Sequence, residues 1–271
     1  MYENVLTALG LTILAGLATG IGGAIAFFAK KTNTKFLSVA LGFSAGVMVY
    51  ISFVEIFAEA KRMLVGELGN KTGSWVALAA FFGGMFVIAL IDNLVPDYEN
   101  PHETRKVEDI RGEDPPDWME KKSKLLRTGL FTALAVTIHN FPEGFASFMS
   151  SLRDPSLGVG IAIAIAIHNI PEGIAVSMPV YYATDSRPKA FLYSFLSGIS
   201  EPVGAVLGYL ILSRFMSETL FGIVFAAVGG IMVFISFDQL LPTAREYGEH
   251  HLSIYGLVSG MIIMAVSLML F

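Results

Sequence analysis

The sequence predicts an all-α integral membrane protein with eight transmembrane helices in an inverted 3+2+3 repeat. Three observations predict it. The 271-residue chain is 54% hydrophobic and 15% charged, whereas a soluble domain carries roughly 25% charge. The 18 Lys and Arg residues sit in clusters between long apolar stretches, so a bilayer is the solvent for those stretches. The pattern H-N-x-P-E-G occurs twice, at His139–Gly144 and at His168–Gly173.

A membrane helix needs about 20 mainly apolar residues. Stretches of that kind lie at roughly 4–29, 36–59, 72–93, 128–150, 156–181, 190–213, 219–241 and 252–271. The first reads as a retained helix rather than a signal peptide, because no basic residue precedes Lys30. Between the third and fourth spans, residues of about 94–126 carry Pro96, Pro101, Pro115 and Pro116 among many charges. That composition predicts a flexible cytoplasmic segment, with His102 a solvated side chain. The whole chain, 1–271, reads as one transmembrane transporter domain. Of the 18 basic residues, 13 fall in the loops after spans 1, 3, 5 and 7. The basic-residue rule makes those loops cytoplasmic and places both termini outside the cell membrane. The absence of cysteine removes disulfides, thiolate chemistry and Cys-held metal sites.

The two H-N-x-P-E-G copies lie 29 residues apart, on adjacent spans that run in opposite directions. A second repeat links span 2, Gly-Val-Met-Val-Tyr-Ile-Ser-Phe at Gly46–Phe53, to span 7, Gly-Ile-Met-Val-Phe-Ile-Ser-Phe at Gly230–Phe237. Gly84-Met85 in span 3 and Gly260-Met261 in span 8 point the same way. Three helices, a central pair and three more helices thus form an inverted repeat. Transporters of that build place substrate near the midplane, between the repeats.

His139, His168 and Glu201 lie at the centres of spans 4, 5 and 6. In each motif His and Glu are four residues apart and Asn and Glu three, so all three side chains share one helix face. A carboxylate at the bilayer centre costs at least about 2.5–3.5 kcal/mol. Glu143, Glu172 and Glu201 must be neutralised, and no Lys or Arg lies inside any span. The counter-charge is a proton or a bound cation. Two imidazoles and the amides of Asn140 and Asn169 beside the carboxylates supply metal ligands. Three carboxylates match two divalent ions, with Glu143 and Glu172 placed to bridge. Pro142 and Pro171 free the carbonyls of Ile138 and Ile167, which predicts a kink and exposed backbone oxygen at the site. Glu55 is expected to line the outer mouth of a path and Asp238 the inner one, while Glu59 and Asp92 suit the interface. His250 and His251 read as a solvated loop.

The doubled H-N-x-P-E-G motif on adjacent central spans is similar to the signature of the ZIP family of metal transporters, and the whole chain resembles the bacterial zinc-uptake branch. The resemblance implies import of zinc, with iron, manganese, cobalt and cadmium as further cargo. It implies one metal position at His139, Glu143, His168 and Glu172. A neighbouring position would use Asn140, Glu143, Asn169, Glu172 and Glu201. Members are often homodimers, and an elevator-like movement of the central helices has been proposed for them. The partners expected are divalent metal ions and the lipid bilayer, with no cofactor and no nucleic acid. Four G-x-x-x-G pairs (Gly16/Gly20, Gly42/Gly46, Gly204/Gly208, Gly256/Gly260) permit close helix contacts. Two other readings compete. An intramembrane metalloenzyme would also bury His and Glu, but H-E-x-x-H is absent. A proton-coupled solute carrier would use the carboxylates as a relay.

Overall fold

The computed structural model describes residues 2–25, 34–94, 118–212, 217–247 and 250–270, and every regular element among them is helical. The helices are α1 (Tyr2–Ile25), α2 (Thr34–Ile51), α3 (Phe57–Leu68), α4 (Asn70–Leu94), α5 (Trp118–Arg153), α6 (Pro155–Thr184), α7 (Arg187–Leu212), α8 (Glu218–Ile235), α9 (Leu241–Tyr247) and α10 (His250–Leu270). Two π turns, Ser52–Ile56 and Ser236–Leu240, join α2 to α3 and α8 to α9. Both begin at the serine of the repeated Ile-Ser-Phe, so one local sequence makes the same widened turn twice.

Among the described residues, seven helical stretches are long and apolar enough to cross a membrane, including Ser38–Leu68 and Glu218–Arg245 across their π turns. The fourth expected span forms the second half of α5, a 36-residue helix with a charged start. α5 begins at Trp118, inside the segment read as loop, because Met119-Glu-Lys-Lys-Ser-Lys-Leu-Leu126 is rich in good helix formers. The rest of that segment, with His102, lies outside the described residues. α2 and α3 together run nine residues past the expected end of span 2 at 59, to Leu68, where Gly69 turns the chain with φ +79. α5 and α6 continue as helix through Pro142 and Pro171.

Burial is inverted relative to a water-soluble protein. Phe86 and Trp75 of α4, Leu210 of α7 and Tyr255 of α10 are more than 60% exposed, while Glu143, Glu172 and Glu201 are buried. Apolar rims facing out and carboxylates facing in suit a hydrocarbon surround. The helices form two groups. α1, α5, α6 and α7 pack on one another, and α2, α3, α4, α8 and α10 form the second group. The groups meet chiefly where α2 crosses α6 and where α5 crosses α8.

Glycine sets the closest seams, because a Cβ at these positions would overlap a backbone oxygen of the facing helix. Gly46 faces the carbonyl of Leu257 and Gly260 that of Phe43, which locks α2 to α10. Gly230 faces Phe81 and Gly84 faces Ala227, which locks α8 to α4. In the first group, Gly144 faces Glu201 and Gly204 faces Phe141 between α5 and α7, while Gly173 faces Thr19 and Gly22 faces Ile170 between α6 and α1.

Candidate functional site

α5 carries Asn140 and Glu143, α6 carries His168, Asn169 and Glu172, and α7 carries Glu201; all six side chains are at most 1% exposed. The backbone of His139 is helical in α5, and its side chain lies outside the described residues. The i, i+3 and i+4 spacing turns each motif face inward, and the Gly144–Glu201 seam brings α7 to the same depth.

His168 Nδ1 faces the carbonyl of Ala164 at 3.2 Å and donates its proton there. Nε2 faces Glu143 Oε1 at 2.9 Å. A lone pair and a carboxylate oxygen at that distance repel unless a proton or a cation serves both. The amides are oriented with equal economy. Asn140 Nδ2 donates to the carbonyl of Ser197 at 3.3 Å, and Asn169 Nδ2 donates to that of Ala15 at 2.9 Å and to Glu201 Oε1. With both nitrogens engaged, the oxygens face the other way. Asn140 Oδ1, Asn169 Oδ1 and Glu201 Oε2 are buried and have no hydrogen-bond partner among the described residues. A buried acceptor left without a donor costs about 1–3 kcal/mol, so three at one depth call for a positive ligand. Among the described residues no three His, Asp or Glu side chains gather tightly enough to hold a metal unaided. The donors that converge are a mixed set of imidazole, carboxylate and amide, which suits borderline divalent ions.

Sequence reasoning placed no part of span 1 or of the Ser197 turn at the site. Both enter through backbone carbonyls, Ala15 and Ser197, which leave no mark in a sequence. Pro202 was also missed; it directly follows Glu201 inside α7, and a proline beside a mid-span acid was the available signal.

The outlying acids part company. Glu55 is half-buried and lines a cavity of about 210 Å³ with Glu59, Arg62, Ser150, Arg153 and Asp154. Arg62 pairs with Glu59 at 2.5 Å and Arg153 with Glu218 at 2.6 Å. Asp238 is exposed in the second π turn. His251 is exposed in the first turn of α10, a helix where a loop was expected, while the side chains of Asp92 and His250 lie outside the described residues. A second, small space of about 10 Å³ lies against Glu143 and is walled by Ile56, Ile165, Phe225 and Met232; Phe225 also lines the Glu55 cavity.

The family model described as ZIP zinc transporter matches residues 5–268. The chain is 61% identical over 271 residues to the zinc transporter ZupT of Chlorobaculum parvum, covering all of both chains. It is 60% identical to that of Clostridium perfringens, over 99% of this chain and 97% of the relative. It is 58% identical to that of Streptococcus mutans, again over the full length of both.

Proposed function

The chain belongs to the ZIP zinc transporter family, and on that premise we propose that it is a multi-pass membrane importer of zinc that holds its cargo at the buried midplane site. It is a transporter and not an enzyme, in keeping with its relatives. The observation that carries the site is the set of buried acceptors (Asn140 Oδ1, Asn169 Oδ1 and Glu201 Oε2) beside the facing His168 and Glu143. One ion would be held by His139, Glu143, His168 and Glu172, and a second by Asn140, Glu143, Asn169, Glu172 and Glu201. In this reading Glu55 lines the outer mouth of the path and Asp238 the inner one. The donors lack sulfur, so iron, manganese, cobalt and cadmium are admissible cargo.

The inverted 3+2+3 repeat is part of this reading. The glycine seams support it, because they come in matched pairs. Advancing Gly46–Leu257 and Gly260–Phe43 through the repeat relation of spans 2 with 7 and 3 with 8 yields Gly230–Phe81 and Gly84–Ala227. Relating span 4 to 5 and span 6 to 1 takes Gly144–Glu201 and Gly204–Phe141 to Gly173–Thr19 and Gly22–Ile170. The basic-residue count supports external termini, with the Glu55 cavity outside. The G-x-x-x-G pairs are all used within one chain, so a homodimer would meet through other faces. The decisive experiment is zinc entry into liposomes holding purified protein and a metal-sensitive dye. Saturable entry that is lost in Glu143→Ala supports the reading. Flux of an organic solute that survives a strong chelator would overturn it.

A further inference from the structure

We propose that Ser147 is a transit ligand, whose hydroxyl oxygen receives the ion from the Glu55 cavity and passes it to Glu143; the proposal rests on the transport reading above. Ser147 sits one helical turn beyond Glu143 on α5 and is fully buried. A serine inside a membrane helix ordinarily bonds back to the carbonyl four residues earlier. Its neighbours do so: Ser150 Oγ donates to Ala146 at 2.8 Å, and Ser151 Oγ donates to the carbonyl of Ser147 at 2.8 Å. Ser147 Oγ makes no such bond and has no hydrogen-bond partner among the described residues. It lines the closed space at Glu143, where the other walls are apolar.

The position continues a ladder. Ser150 lines the open Glu55 cavity, and Ser147 and Glu143 both line the closed space. Phe225 borders both spaces. Successive rungs are about 4.5–6 Å apart along the helix axis. Metal–oxygen bonds of about 2.0–2.2 Å let one ion bridge oxygens that swing towards each other across such a step. A hydroxyl keeps lone pairs for the ion at any physiological pH and adds no charge to an apolar passage. The other motif helix lacks the rung: four residues after Glu172 stands Val176. The ladder therefore serves one side of the site.

Three single variants in the cysteine-free chain test this, reconstituted in liposomes. Ser147→Ala should lower the maximal zinc flux about five-fold or more while equilibrium zinc affinity of the detergent-solubilised protein stays within about two-fold. Ser147→Thr, which keeps the hydroxyl, should retain at least about half of the flux. Ser147→Cys should show the ultraviolet thiolate-to-cadmium absorption when cadmium is added, since sulfur favours soft ions. Wild-type flux from Ser147→Ala, or no cadmium absorption from Ser147→Cys, would overturn the proposal. If the wild type itself carries no zinc, the transport reading fails, and the cadmium absorption still decides whether ions reach position 147.

Discussion

The two π turns are built from one phrase of sequence and hold their acids differently. Ser52-Phe-Val-Glu-Ile56 and Ser236-Phe-Asp-Gln-Leu240 follow the repeated Gly-x-Met-Val-x-Ile and fold alike. Their acids differ by one position. Glu55 is the fourth residue of its turn and is half-buried in a cavity wall, whereas Asp238 is the third of its turn and is exposed. A step of one residue around a helix is enough to take a carboxylate from a cavity wall to an exposed position. The local backbone thus follows the repeated sequence, while the surroundings of each acid are set by where it falls within the turn.

The comparison breaks first at what both halves share. Glu143→Ala or Glu172→Ala should lower zinc flux into liposomes by more than about ten-fold, since either leaves the remaining carboxylates without their common ligand. Glu246→Ala should leave flux unchanged. Near-normal flux from Glu143→Ala at equal protein would show that the midplane is not the site.

The matched seams come next. Gly230→Val and Gly46→Val each force a side chain into a facing carbonyl, and overpacking of that kind costs about 1–3 kcal/mol. Both should lower the midpoint of thermal unfolding in detergent, to a similar degree. Gly10→Val, which meets open space, should change it little. A large loss from one seam alone would mean that the two halves are not equivalent.

The acids of the turns sharpen the contrast. Glu55→Gln should raise the zinc concentration for half-maximal flux about three- to ten-fold, and Asp238→Asn less than two-fold. Equal effects would show that exposure does not decide which acid the ion meets.

The smallest effect is a graded one with pH. Ligand imidazole must be neutral and ligand carboxylate ionised, so protons compete with metal. Binding measured by calorimetry should hold above the reference His value of about 6.5 and weaken as pH falls below about 6. Affinity unchanged down to about pH 5 would exclude His168 as a ligand.

Much of the helical plan and of the site was legible because the bilayer makes polar groups conspicuous. Glu143, His168 and Glu201 stood out from apolar spans, and the structure buries them on three neighbouring helices. Helix ends were less legible: α3 runs to Leu68 and α5 starts at Trp118, because helix propensity does not stop at the edge of hydrocarbon. The π turns were invisible, since Ser-Phe-Val-Glu-Ile carries no breaker residue. The contribution of α1 was invisible for another reason. Ala15 acts through its carbonyl, and any residue but one that disturbed the helix would supply the same oxygen.

The glycine seams have a consequence for how polarity is distributed through the molecule. At Gly46, Gly230 and their counterparts the Cα rests against a carbonyl of the next helix, a geometry in which Cα–H donates weakly to oxygen for about 0.5–1 kcal/mol. Helix cohesion there draws on atoms that every backbone already has. The side-chain oxygens Asn140 Oδ1, Asn169 Oδ1 and Glu201 Oε2 take no part in these seams and stay without a hydrogen-bond partner among the described residues, as acceptors held in reserve.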